Sequence, residues 1–375
     1  MAESTINTAF FAGGTSYSPQ NPLIIAELGT SHGGDAGKAR EMAQAAAEAG
    51  ASCVKLQMVF ADEILHPNTG EVTLPGGTIT LYDRFRQLEK PPEFYAELKE
   101  YIESLGLLFL CTPFGMKSAT ILRELQPKIV KIASPELNFT ELLQEVAGWN
   151  LPILLSSGVS TLGDIEQAVG IMGSGECSNL CLLHCVTAYP APETDYNLRV
   201  LNNLAGIFGV PVGVSDHSLD PELVPALAIS KGAAVIEKHF CLSRDDPGLD
   251  DPIALPPPDF ARMVKAVRSA AEKGPEETLS AMRSKHGAAT VEAVLGSGVK
   301  MLAASERNNY SRTNRSIHAL RDIQPGQVIG AEDFAILRTE KVLRPGLAPS
   351  YAAFICGRTA RQFIPAGEGI RFEDI

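Results

Sequence analysis

From residue 22 onward the chain repeats one pattern. A short, nearly all-apolar run rich in β-branched residues ends on a polar residue, and a segment with apolar positions at helical spacing follows. "PLIIAEL" (22–28) precedes a predicted helix over 36–49, and "SCVKLQM" (52–58) one over 92–104. "LLFLCTP" (107–113) precedes 117–125, and "KIVKIAS" (128–134) precedes 138–147. "PILLSSG" (152–158) precedes 161–171, and "NLCLLHC" (179–185) precedes 197–208. "PVGVSDH" (211–217) precedes 222–230, and "AAVIEKH" (233–239) precedes 258–271. Continuous apolar strands alternating with helices imply a parallel sheet covered by helices on its faces. Eight such units over about 250 residues fit a closed (β/α)8 TIM barrel. An open doubly wound sheet would want a GxGxxG turn after its first strand, and "LGTSHGGD" does not supply one.

Helix starts agree with this reading. Ser160 or Thr161 stands before one helix, with Asp164 and Glu166 in its first turn, and Asp220 precedes Pro221 before another. The second unit carries a long loop, 59–90, on the face where barrels build their sites, so it reads as a lid or substrate wall or as an ordinary surface excursion. From Lys273 the repeat stops, and a linker with short helices is expected over 273–311. "RDIQPGQVIGAEDF" and "RQFIPAGEGIRFEDI" then repeat a strand, a turn, a strand and an acidic stop. They predict a small, mostly β domain over 312–375, after an N-terminal extension and catalytic barrel over 1–272.

The strand ends hold the candidate chemistry. They carry Glu27; Lys55 and Gln57; Thr112; Lys131 and Ser134; Ser156 and Ser157; His184 and Thr187; Ser215, Asp216 and His217; Glu237, Lys238 and His239. Strand side chains alternate, so Lys55 shares a face with Gln57, Ser215 with His217, and Glu237 with His239. Two lysines and several hydroxyls facing one mouth suit a carboxylate or phosphate ligand; the alternative is that each lysine pairs with a buried glutamate. His217 and His239 end neighbouring strands. They read either as two ligands of a divalent cation, with Glu27, Asp250 or Asp216 as candidate carboxylates, or as a structural pair. His32 and Asp35 lie in the loop after the first strand, where Gly33 and Gly34 allow a ligand close to the backbone or form a turn.

Composition narrows the partners. The formal charge is −12 over 375 residues, which disfavours a nucleic-acid partner but leaves room for a local basic site. No apolar run of membrane length and no basic-then-apolar start is visible, so a cytoplasmic protein without a membrane span is expected. There are seven cysteines; Cys177, Cys181 and Cys185 read as a metal site or, given two of them in an apolar strand, as buried thiols.

The segments "IIAELGTSHGGD", "VKLQ", "TPF", "KIASPEL", "LHCVTAYPAP", "GVSDHS" and "IEKHF" occur in an order that resembles the sialic acid synthase family. The end of the chain, from "NRSI" to "GRTARQFIPAGEGI", resembles that family's antifreeze-like (SAF) domain. The resemblance implies condensation of phosphoenolpyruvate with an N-acylated hexose aldehyde, such as N-acetylmannosamine or a diacetamido sugar, to a nine-carbon 2-keto sugar acid. Lys55, Gln57, Thr112, Lys131, Ser134, Ser156, Thr187 and Ser215 would bind phosphoenolpyruvate. His217 and His239 would ligate Mn2+ or Mg2+. Glu136, with Glu27, would stand with Lys55 and Lys131 among the catalytic groups. Tyr189 and Asp250 would contact the acceptor, and Arg315 would reach it from a partner subunit, implying a domain-swapped homodimer. Ser31 and 248–251 depart from the family pattern where they would face the acceptor. The alternatives are a 3-deoxy sugar acid phosphate synthase-like aldolase and a non-catalytic sugar-binding protein.

Overall fold

A computed structural model describes residues 9–74, 77–174 and 179–375. Eight parallel strands form one sheet: β1 (Leu23–Gly29), β2 (Cys53–Met58), β3 (Leu108–Pro113), β4 (Val130–Ile132), β5 (Ile153–Ser156), β6 (Leu180–Cys185), β7 (Val212–Asp216) and β8 (Ala233–His239). Ladders join them in the order β3-β2-β1-β8-β7-β6-β5-β4, so the sheet wraps into a nearly closed barrel. Among the described residues β3 and β4 share no ladder.

Alternation divides each strand between two cores. One set of residues packs outward on the helices, among them Ile24, Ala26, Val54, Leu56, Leu155 and Ile236. The other set fills the lower barrel interior with Leu23, Ile25, Cys53, Leu110, Ile129, Leu154, Leu183 and Val235. A short N-terminal hairpin, Phe10–Ala12 with Thr15–Tyr17, plugs that lower end with Phe10, Ala12 and Tyr17. Two residues further along each inward column the apolar side chains give way to Glu27, Lys55, Thr112, Lys131, Ser156, Cys185 and Glu237. The barrel is thus apolar at its floor and ionic at its mouth.

The helices are α1 (Ala36–Glu48), α2 (Pro92–Ser104), α3 (Met116–Glu124), α4 (Thr140–Ala147), α5 (Leu162–Ser174), α6 (Val200–Phe208), α7 (Leu223–Ser230) and α8 (Pro257–His286). Thr161 and Asp164 cap α5 reciprocally: the Thr161 N–H donates to Asp164 Oδ2, and the Asp164 N–H to Thr161 Oγ1. Asp220 Oδ1 accepts from the N–H groups of Glu222 and Leu223 ahead of α7. Asp35 caps α1 through the Lys38 N–H, and His32 Nδ1 accepts from the Gly34 N–H, so that loop is a turn leading into a capped helix. α8 runs past the expected end of the repeat. Gly274, at φ 76°, and Pro275 kink it, and its second half continues with Thr278 and Leu279 buried.

The 59–90 segment folds into a helix (Ala61–Ile64), a hairpin (Glu71–Leu74 with Gly77–Thr80) and a second helix (Leu81–Leu88) capped by Thr80. In the small domain β9 (Arg315–Ala319) pairs antiparallel with β10 (Phe334–Arg338), placing Arg315 opposite Arg338. The two repeated phrases embrace each other: Ile323 and Ile364 exchange backbone hydrogen bonds in both directions. Asp333 and Asp374 perform the same task in each, accepting from the Gly330 and Arg371 N–H groups. Ile317, Ile329, Ile355 and Ile370 fill the core between them. Cys181 and Cys185 are buried free thiols, while Cys177 lies outside the described residues. No described helix is long and apolar enough to cross a membrane.

Candidate functional site

Register brings the mouth's charges side by side. Glu27 lies level with Lys55 on one flank and His239 on the other, and Glu237 lies level with Ser215. Glu237 bridges both lysines: Lys55 Nζ stands 2.8 Å from its Oε2, and Lys131 Nζ 3.4 Å from its Oε1, while Ser215 Oγ donates to it at 2.7 Å. Glu27 adds a second contact to Lys55 at 3.4 Å and accepts from Gln57 Nε2 at 2.7 Å. The lysines therefore pair with buried glutamates, the alternative left open by the strand pattern, while still facing the mouth.

The electrostatics follow from burial and these pairs. Burial opposes the charges of Lys55 and Glu237, but their mutual attraction, with Lys131 beside Glu237 and Glu27 beside Lys55, outweighs it. Lys55 is held above its ordinary pKa and Glu237 below. Lys131 is less well compensated; burial brings it down to about 8, with Glu237 opposing the fall and Lys55 adding to it. Burial raises Glu27 to about 7 against the pull of Lys55.

Around the lysines lie hydroxyls with nothing to bind. Thr112 Oγ1 and Ser156 Oγ are buried and unpartnered, an arrangement that costs free energy unless a ligand satisfies it. Ser134 Oγ accepts from the Gly158 N–H. A side chain at Gly158 would run into Thr187 Oγ1, Ser134 Oγ and Cys185 Sγ, so only glycine leaves this concavity open.

His217 and His239 stand with ring centres 5.3 Å apart, and the Tyr189 ring lies 4.3 Å from His217 and 6.1 Å from His239. His217 Nδ1 is 2.8 Å from the Val186 carbonyl, which fixes the proton there and leaves Nε2 as the open nitrogen. Burial, reinforced by His217, keeps His239 neutral. Asp250 Oδ2 approaches His239 Nδ1 at 3.8 Å, and burial pushes its carboxyl up to about 6. Asp216 faces away: its Oδ2 is 2.6 Å from Lys238 Nζ, in a buried pair that also engages Ser218. Lys238 is thus a structural cation on the outer face of β8, and Asp216 drops from the candidate ligands. His184 is likewise structural, its Nε2 bonded to the Tyr196 carbonyl and its pKa lowered by burial to about 3. No three His, Cys, Asp or Glu side chains among the described residues group as a complete metal cage. Two imidazoles beside a carboxylate fit a divalent cation whose other positions go to water and substrate oxygens.

Above this core opens a cleft of about 300 Å³. Gln57, Tyr189, His239 and Asp250 line its floor, Phe85 and Leu88 of the 59–90 segment one wall, and Arg338 of the small domain another. Arg315 is buried and saturated. Its Nε and Nη2 reach Glu136 Oε1 at 3.1 and 2.9 Å, and its other protons go to the carbonyls of Glu63, Phe114 and Ile336. Arg338 adds two donors to the same oxygen, at 3.1 and 2.7 Å. Glu136 Oε2 stays buried without a partner. The small domain makes these contacts with the barrel of its own chain, and the arginine it presents to the cleft is Arg338.

Three residues escaped the reading of strand ends. Arg338 is visible only once β9 and β10 pair. Lys300 donates to the Ser157 carbonyl at 3.2 Å and has its pKa lowered by burial. Glu306 accepts from the N–H groups of Val159 and Thr187. Both lie in a segment without periodicity, which gives no pattern to read.

The NeuB family model matches residues 42–277, and the SAF domain model matches 314–375. The chain is 34% identical to the N,N'-diacetyllegionaminic acid synthase of Legionella pneumophila, over 94% of each chain. It is 31% identical to the pseudaminic acid synthase of Helicobacter pylori, over 95% of this chain and 98% of that one. The crystal structure of spore coat polysaccharide biosynthesis protein SpsE from Bacillus subtilis superposes with a TM-score of 0.81 at 31% identity, covering 98% of this chain and 99% of the other.

Proposed function

Because the chain belongs to the NeuB family, we propose that it condenses phosphoenolpyruvate with an N-acylated hexose aldehyde, yielding a nine-carbon 2-keto sugar acid and phosphate. The observation that carries this reading is the set of two buried lysines beside the unpartnered hydroxyls of Thr112 and Ser156, a cradle matched to a small polyanion. The carboxylate and phosphate of phosphoenolpyruvate would share the two lysines with Glu237 and Glu27, with Lys55, Lys131, Thr112, Ser134, Ser156, Thr187 and Ser215 as donors.

His217 and His239 would hold a divalent cation, manganese or magnesium, which when bound polarises the oxygen of an aldehyde. Tyr189, Asp250 and Gln57 would orient the open-chain acceptor over C3 of phosphoenolpyruvate. A carbon–carbon bond forms from C3 to the aldehyde carbon, and positive character develops at C2. Water adds there, and the tetrahedral intermediate loses phosphate by cleavage of its C–O bond. The lysines stabilise the charge on the departing phosphate. Glu136, with one oxygen committed to Arg315 and Arg338, has Oε2 left to orient water or an acceptor hydroxyl.

The legionaminic and pseudaminic acids named for two relatives support including diacetamido hexoses beside N-acetylmannosamine as acceptors to be tested. The test is phosphate release with phosphoenolpyruvate, Mn2+ or Mg2+, and a panel of N-acetylmannosamine, diacetamido hexoses, their phosphorylated forms, and phosphorylated aldoses without an N-acyl group. Release with a free N-acyl hexose supports the assignment. Release only with phosphorylated aldehydes lacking an N-acyl group points to a 3-deoxy sugar acid phosphate synthase, and no release across the metal-loaded panel removes the synthase reading.

A further inference from the structure

The loop after β5 has a conformation its sequence does not favour. Val159 sits at φ 41°, in the left-handed region that β-branched residues avoid. It is fully buried, so solvent does not relieve it. Two residues from the far end of the chain hold it there. The Val159 N–H donates to Glu306 Oε1 at 2.7 Å, and its carbonyl accepts from Asn314 Nδ2 at 3.0 Å.

Glu306 is itself buried, and the same Oε1 accepts from the Thr187 N–H at 2.8 Å. Its Oε2 accepts from the Ala303 N–H at 3.1 Å, anchoring the carboxylate to its own turn. Asn309 Nδ2 donates to the Thr187 carbonyl at 3.0 Å. One carboxylate oxygen therefore joins the loop after β5 to the loop after β6. Beside Val159 in the first of these loops lies Gly158, whose N–H donates to Ser134 Oγ and whose missing side chain leaves the concavity open. A charge-assisted bond to two backbone N–H groups is strong enough to hold a disfavoured turn.

We propose that Glu306 is a positioning residue for the anion cradle: by fixing Val159 and Thr187 together it holds Ser156, Gly158 and Thr187 in the geometry that receives phosphoenolpyruvate. The proposal rests on the phosphoenolpyruvate reading above. It makes the segment joining barrel and small domain part of the binding site, so that docking of the small domain and affinity for the first substrate are linked.

The test is calorimetric binding of phosphoenolpyruvate to the full chain with Mn2+, together with KM for each substrate. Glu306→Ala is expected to weaken phosphoenolpyruvate binding at least about tenfold while leaving the acceptor KM within about twofold. Glu306→Gln keeps an acceptor oxygen and should weaken binding less, by about threefold. If the alanine variant does not fold, the glutamine variant carries the comparison. Val159→Gly introduced into Glu306→Ala should recover part of the lost affinity, since glycine adopts positive φ without a clamp. Unchanged phosphoenolpyruvate affinity in both Glu306 variants, an equal rise in both KM values, or no recovery with Val159→Gly would overturn the proposal. A wild-type chain that binds no phosphoenolpyruvate would instead bring down the functional reading on which it rests.

Discussion

Glu237 holds the barrel mouth together, because among the described residues it is the one carboxylate touching both Lys55 and Lys131. Glu237→Ala leaves two buried cations short of a partner, and a loss of about 3–5 kcal/mol in urea unfolding is expected. An unchanged midpoint would mean that Glu27 compensates alone. Lys131 gives a pH dependence. Its pKa of about 8 means the ammonium is present below that pH and lost above it, so kcat/KM for phosphoenolpyruvate should fall as pH rises through about 8. Glu27, ionising near 7, adds negative charge to the mouth in the same direction. A profile flat from pH 6 to 9 would contradict both. His217→Ala or His239→Ala should abolish turnover together with its dependence on added Mn2+. Metal dependence surviving in either variant would displace that residue as a ligand. These groups were legible in the sequence because strand alternation puts Lys55 with Gln57, and Glu237 with His239, on shared faces at strand ends. Alternation could not say which charge meets which: that Glu237 takes the lysines while Lys238 takes Asp216 depends on the register between β7 and β8.

At the scale of elements, the repeating strand and helix units were legible because each is a local periodicity with a local cap, as at Thr161 and Asp220. The departures occur where a glycine or a distant partner decides the outcome. α8 passes the end of the repeat because Gly274 accommodates a kink rather than a stop. The 59–90 segment is a built wall whose Phe85 and Leu88 line the cleft. Replacing both with alanine should raise the acceptor KM several-fold and leave the phosphoenolpyruvate KM unchanged, because neither touches the lysine core. Steady-state kinetics with each substrate varied in turn checks this, and equal changes in both constants would assign the segment to the fold rather than to acceptor binding. The two repeated phrases of the small domain announced a β unit, but not that β9 and β10 would place Arg315 and Arg338 on one carboxylate oxygen. That meeting spans about two hundred residues of sequence and has no local signature.

On the scale of the whole molecule, the lysine-bearing barrel mouth lies beneath a cleft that the small domain walls on one side with Arg338. We propose that in solution the small domains exchange between two chains, so that the Arg315–Glu136 contact forms between subunits with the same atoms. Light scattering should then give twice the 40.0 kDa chain mass, and a monomer active at the same specific rate would contradict the exchange. The central claim is the condensation itself. The full chain is incubated with Mn2+, phosphoenolpyruvate carrying an isotopic oxygen at the bridging position, and free N-acyl hexoses, and phosphate and sugar products are followed by mass spectrometry. The account predicts one labelled phosphate released for each product whose mass is that of the acceptor plus one pyruvate unit. Unlabelled phosphate, or phosphate released with no such product, would contradict it.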